Sequence, residues 1–208
     1  SYGYITNKVP VDGRSVVNIK DNATLALVGI YGSDPETGVA KMELNADGGT
    51  ILPSYTPFVP FISGCVATLG DGGLTLDTGS YDVEVDQAFV DKEASAPVLT
   101  KKGMGKLIVK RDSTHATTRI EEGILSFGAG VSKFGRNLEF AKGAVLELAS
   151  LNNVINYLWD WSGNTDGYAP LNNGTLHNFG TTHLLIFGQT NLDKLTPEQI
   201  AVATAKGW

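Results

Sequence analysis

The segment Pro97–Gly130 reads PVLTKKGMGKLIVKRDSTHATTRIEEGILSFGAG. Two short apolar runs in it, Gly105–Val109 and Gly123–Phe127, each open on a glycine and start eighteen residues apart. Within each run apolar side chains fall two residues apart, Leu107 with Val109 and Leu125 with Phe127. Period two marks a strand, because successive side chains of an extended chain leave opposite faces. The phrase recurs as Asn22–Gly29 (NATLALVG), Gly72–Gly79 (GGLTLDTG) and Gly143–Ser150 (GAVLELAS). Tyr81–Phe89 and Arg136–Gly143 alternate in the same way.

From Leu74 through Leu107 and Leu125 to Leu146 the intervals are 33, 18 and 21 residues. The last two approach the short end of solenoid periods. In a β-solenoid each coil lays a strand directly on the one before it, so a coil buries its inner face only by stacking on neighbours. The repeated phrase is therefore expected to form the inner face of successive coils. The Thr-rich link between the two runs is expected outside, with Thr114–Gly123 adding a short strand into Ile120. An antiparallel sandwich is the rival, but it favours two-residue Asn-Gly or Asp-Gly hairpins, and only Asn173-Gly174 offers one.

Two segments break the pattern. Residues 50–64 carry three prolines and are expected as an extended excursion outside the ladder or at its edge, since proline cannot donate to a central strand. Residues 192–207 read as a helix that caps the last coil. Thr196 suits the N-cap, Pro197 the first helical position, Gln199 a capping box and Gly207 the stop. The expectation is one domain over 1–208, all-β, a right-handed parallel β-helix with a short C-terminal capping helix.

The 208-residue chain has 25 Gly, 42% hydrophobic and only 18% charged residues, a turn-rich β composition. Its net charge of −6 and the absence of a basic stripe argue against nucleic acid. No apolar run is long enough for a membrane-spanning helix, so direct membrane insertion is not expected. The single cysteine, Cys65, forms no internal disulfide and reads as a small buried hydrophobe. The start at Ser1, without Met, reads as a trimmed piece of a longer precursor.

Val98–Gly128 resembles the autotransporter-associated β-strand repeat, also called the passenger-associated transport repeat. The matching positions are Leu99, Thr100, Lys101, Gly103, Gly105, Leu107, Val109, Thr114, Thr118, Ile120, Gly123, Leu125 and Gly128. Lys106 stands where that family usually has Thr, and Arg111–Thr117 replaces its Gly-Asn-Thr-Tyr-Thr-Gly turn. Leu158–Asn164 and Phe179–Trp208 resemble the segment that closes many such passengers. The resemblance implies a parallel β-helix, bacterial export and display at the cell surface or secretion. It implies no particular activity, because one fold hosts many functions.

Candidate chemistry is sparse. Asp82, Glu84 and Asp86 alternate with Tyr81, Val83 and Val85, as a solvated strand face does; a polysaccharide-active site would need such carboxylates clustered. Glu121 and Glu122 read as another solvated pair. Asp160, Ser162, Asn164 and Asp166 echo a calcium loop, with Asp160, Asn164 and Asp166 the candidate metal ligands, but Thr165 and Leu171 break the EF-hand pattern. Trp159, Trp161 and Tyr168 would form a stacking platform for a glycan, or pack beneath the terminal helix. His115, His177 and His183 lack metal-site spacing and read as surface or turn residues. The reading is a non-enzymatic extracellular structural protein without a cofactor, serving display, adhesion or assembly through its coil ends, possible as a homo-oligomer or polymer. The alternatives are a glycan-binding module and a polysaccharide-active β-helix enzyme.

Overall fold

The computed structural model describes residues 5–6, 15–32, 42–93, 95–131, 134–141, 143–147, 175–176, 185–186 and 189–205. The chain folds as a β-solenoid of about five turns, and among the described residues helix lies near the C-terminus. The strands are β1 (Ile5–Thr6), β2 (Ser15–Leu27), β3 (Ile30–Tyr31), β4 (Met42–Pro53), β5 (Ile62–Ser63), β6 (Cys65–Leu69), β7 (Leu74–Asp77), β8 (Val83–Asp86) and β9 (Phe89–Asp91). They continue as β10 (Val98–Lys102), β11 (Lys106–Val109), β12 (Thr117–Ile120), β13 (Ile124–Phe127), β14 (Asn137–Phe140), β15 (Val145–Leu146), β16 (Thr175–Leu176) and β17 (Leu185–Ile186). Two helices follow, α1 (Gln189–Leu192) and α2 (Pro197–Ala205).

One sheet runs β1-β3-β5-β8-β11-β13-β15, and every pairing in it is parallel. The other runs β16-β17-β14-β12-β10-β7-β4-β6-β9, with β2 also on β4. Its pairings are parallel except β16 with β17. In the coils up to β9 this second sheet covers two sides; beyond it, among the described residues, that side keeps the single bridge of Ser113 with Phe134. The first half of β4 carries β6 (Met42 on Cys65), and its second half carries β7 (Thr50 on Thr75). The strand turns the corner between them near Gly48, at φ 88°. On β2 the same corner falls at Asp21 and Asn22, both in the left-handed region, and the ladder slips there between Lys20 and Ala23.

Register explains the core. Val83, Leu107, Leu125 and Leu146 stack in one column of the first sheet, and all are buried. Leu74, Leu99, Thr118 and Leu138 form one column of the second, and Leu76, Lys101, Ile120 and Phe140 the next. Each fully buried Leu, Ile or Phe contributes roughly 1.5–3 kcal/mol, so the coils stand only as a stack. A second repeat lies in the corners. Gly79, Gly103, Gly123 and Gly143 all adopt positive φ where the chain passes from the second sheet to the first. A Cβ on Gly123 would lie 2.5 Å from the Gly103 carbonyl oxygen, so successive coils approach closely there.

The expected columns need correction. Gly72–Gly79 does not stack beneath Gly105–Val109: Leu74 pairs with Leu99, in the other sheet. The interval of 33 residues therefore joins two different sides of the coil, whereas 18 and 21 are true coil repeats in the first sheet. The excursion is also shorter than 50–64. Thr50–Pro53 finishes β4, Phe61 and Ile62 are buried, and only residues 54–60 stand out. That loop exposes Tyr55, Phe58 and Val59. It is tied back by the Ser54 and Phe58 amides, which donate to the carbonyls of Leu27 and Val28 at 2.9 and 2.8 Å.

The helical cap is two short pieces rather than one run over 192–207. The Gln199 amide donates to Thr196 Oγ1 at 3.3 Å and the Thr196 amide to Gln199 Oε1 at 2.9 Å, a capping box that starts α2 at Pro197. In α1, buried Asn191 reaches β15, the edge strand of the first sheet. The Leu146 amide donates to its Oδ1 at 2.7 Å, and its Nδ2 donates to the Ala144 carbonyl at 3.1 Å.

Candidate functional site

The acidic row of β8 is engaged between coils. Lys110 pairs with Glu84 at 3.3 Å and Arg111 with Asp86 at 2.6 Å. Asp82 accepts the Lys106 amide at 3.2 Å. Glu121 pairs with Lys102 at 3.3 Å, and Glu122 accepts the Gly103 amide at 3.2 Å. Arg119 and Glu139, register partners on β12 and β14, pair at 2.9 Å. Two pairs reach across a whole coil, Lys106 with Glu147 and Arg136 with Asp91, both at 2.6 Å. The Lys106 bond, together with one from Ser126, holds the Glu147 carboxyl below its usual range. Partly exposed pairs of this kind contribute about 0–1 kcal/mol each, and they follow the coil-to-coil register that the buried columns set.

Trp159, Trp161, Tyr168, Asp160, Asn164, Asp166, His177 and His183 lie outside the described residues. Among the described residues no group of three or more His, Cys, Asp or Glu side chains is placed to hold a metal ion. Cys65 is buried, and burial pushes its thiol up to about 12, far from a nucleophile at neutral pH.

Three of the buried polar side chains that escaped the sequence reading of the core stand out by their contacts. Gln87 acts as an inserted peptide group: it accepts the Cys65 amide through Oε1 and donates to the Cys65 carbonyl through Nε2, each at 2.8 Å. Lys101 is fully buried in the glycine corner. Its ammonium donates to Thr78 Oγ1 at 3.0 Å, to the Lys102 carbonyl at 3.1 Å and to the Gly103 carbonyl. Burial lowers it to about 8 against the opposing pull of Asp77 and Glu122. Its spacing of two from Leu99 was the available signal.

His115 is the third, and here the surface reading fails: it is fully buried. The segment around it is not an outside connection, because Ser113, His115 and Thr118 all turn inward. Thr118 Oγ1 donates to the Phe134 carbonyl and lies 2.6 Å from His115 Nε2. The ring stands edge-to-face with Phe89 and Phe134, at centroid distances of 6.4 and 5.3 Å. Burial lowers it to about 4; Asp91 and the Phe89 carbonyl oppose the shift, and Arg136 adds to it. The other inward side chains of its segment, Ser113 and Thr118, are polar, and this hid the residue from an apolar period-two pattern.

On the outer surface Asn18, Asn45 and Thr68 fall in register on β2, β4 and β6. Asn45 donates to Asn18 at 3.2 Å, and Thr68 donates to Asn45 at 2.5 Å. With Lys20, Asp47 and Lys92 they line a shallow polar cleft of about 230 Å³. Such a surface can hydrogen-bond a hydroxylated ligand, and it offers no activated nucleophile. No family model, curated protein or solved structure matches the chain.

Proposed function

We propose that the protein is a structural β-solenoid of the bacterial cell exterior, a passenger-type element for surface display and adhesion with no catalytic role. The observation that carries this reading is the use of its outward charges. From Glu84 to Glu147 they join one coil to another across the surface. An active site instead gathers carboxylates and bases around one reacting position. The likeness of Val98–Gly128 to the passenger-associated repeat supports the extracellular setting. Asn191 satisfies two backbone groups on the β15 edge of the first sheet, which favours display over end-on joining through that edge.

The test is a panel of soluble polysaccharides and immobilised glycans, read two ways. Retention on glycans or cells without release of reducing ends or unsaturated products supports an adhesive element. Turnover of any polysaccharide would overturn the non-enzymatic reading.

A further inference from the structure

His115 sits where three coils meet. Phe89 comes from the coil before it and Phe134 from the coil after it. The backbone of the later coil approaches so closely that a Cβ on Gly135 would lie 2.9 Å from His115 Nε2. The hydrogen bonds fix the tautomer. The one hydroxyl proton of Thr118 goes to the Phe134 carbonyl, so Thr118 Oγ1 accepts from His115, and Nε2 carries the ring proton. Nδ1 is then a bare lone pair, buried and without a hydrogen-bond partner.

Protonation at Nδ1 would place a charged N–H in a buried site between aromatic rings. The Phe89 carbonyl, which already accepts the Thr114 amide at 3.1 Å, offsets that cost only in part. The titratable and charged groups facing the ring are Asp91, from the earlier coil, and Arg136, from the later one. These two already pair with each other at 2.6 Å. Asp91 also accepts the Ala116 amide at 2.9 Å, and Arg136 donates to the Thr114 carbonyl at 2.7 Å. The clamp on either side of His115 is therefore engaged and does not turn toward the imidazole.

We propose that His115 is an acid-sensitive latch: its protonation releases the coils between residues 113 and 147 while the coils of residues 42–86 stay folded. The imidazole is held near 4 when folded and titrates near 6.5 when released. The unfolded chain thus binds more protons between these values, and stability falls as pH drops through that window. The coupling amounts to about two orders of magnitude in the folded-to-released ratio.

The test is a pH titration of the full chain by NMR, following the His115 ring nitrogens and the backbone amides together. The expected result is a neutral ring protonated at Nε2 at pH 7. Reversible loss of the amide signals of residues 113–147 should follow on acidification, before those of residues 42–86. In His115→Gln, which keeps a donor for Thr118 and does not titrate, that loss should move at least about one pH unit lower. An unchanged profile in the variant would overturn the latch. So would a wild-type ring that titrates near 6.5 with the fold intact, a readout that stands even if the variant does not fold.

Discussion

Asn191 stands on Leu146 as one more strand would. Its side-chain amide takes the Leu146 N–H at 2.7 Å and gives a hydrogen to the Ala144 carbonyl at 3.1 Å. A solenoid ends in a row of unpaired backbone groups that invites another chain, and a single amide from α1 satisfies two of them here. Asn191→Ala leaves both buried groups unpaired and should cost about 2–4 kcal/mol. Asn191→Asp should also destabilise, because a carboxylate cannot donate to Ala144. Urea unfolding of the three proteins checks this.

The glycine corner gives a graded series. Gly123→Ala must adopt positive φ and also drive a Cβ within 2.5 Å of the Gly103 carbonyl. Gly143→Ala faces the same backbone strain with open space around it. Thermal melts should show a loss of roughly 1–2 kcal/mol at Gly143, from strain alone, and a clearly larger loss at Gly123. Equal losses would mean that the coils do not approach at that corner.

Lys101 ties this corner to alkaline pH. Its folded ammonium lies at about 8 against an ordinary 10.5. Between these values the unfolded chain binds more protons, so the Lys101 contribution to stability rises with pH through that window, by up to about 3 kcal/mol. The slope should disappear in Lys101→Met. Comparing unfolding free energies of wild type and variant from pH 7.5 to 10 isolates it.

Cys65 should resist alkylation. With its thiol at about 12 and its side chain buried, iodoacetamide at pH 8 should label it only after unfolding. Its labelling rate then serves as a probe of opening at Gln87, whose amide brackets the Cys65 backbone.

The division between what the sequence revealed and what it hid follows one physical line. Strands whose inner residues are apolar, such as Leu107 with Val109 and Leu125 with Phe127, announce themselves by period two. The intervals of 18 and 21 residues then give their stacking. Where the inner face carries polar groups the pattern is silent. His115, Thr118 and Gln87 look like surface, yet all are buried. Period alone also cannot say which side of a coil a strand occupies, and Leu74 was misplaced for that reason. The Thr196–Gln199 box was legible because it is local. The acidic row of β8 was readable as a solvated face, but its basic partners lie a coil away in space and about 25 residues on in sequence, at a distance set by the register.

The most direct measurement is negative-stain electron microscopy with light scattering across a concentration series of the purified chain. A display element whose first-sheet edge at β15 is covered by Asn191 is predicted to give discrete particles of constant mass. Filaments that grow with concentration along the coil axis would contradict the account, because their growth would require the edge that Asn191 occupies.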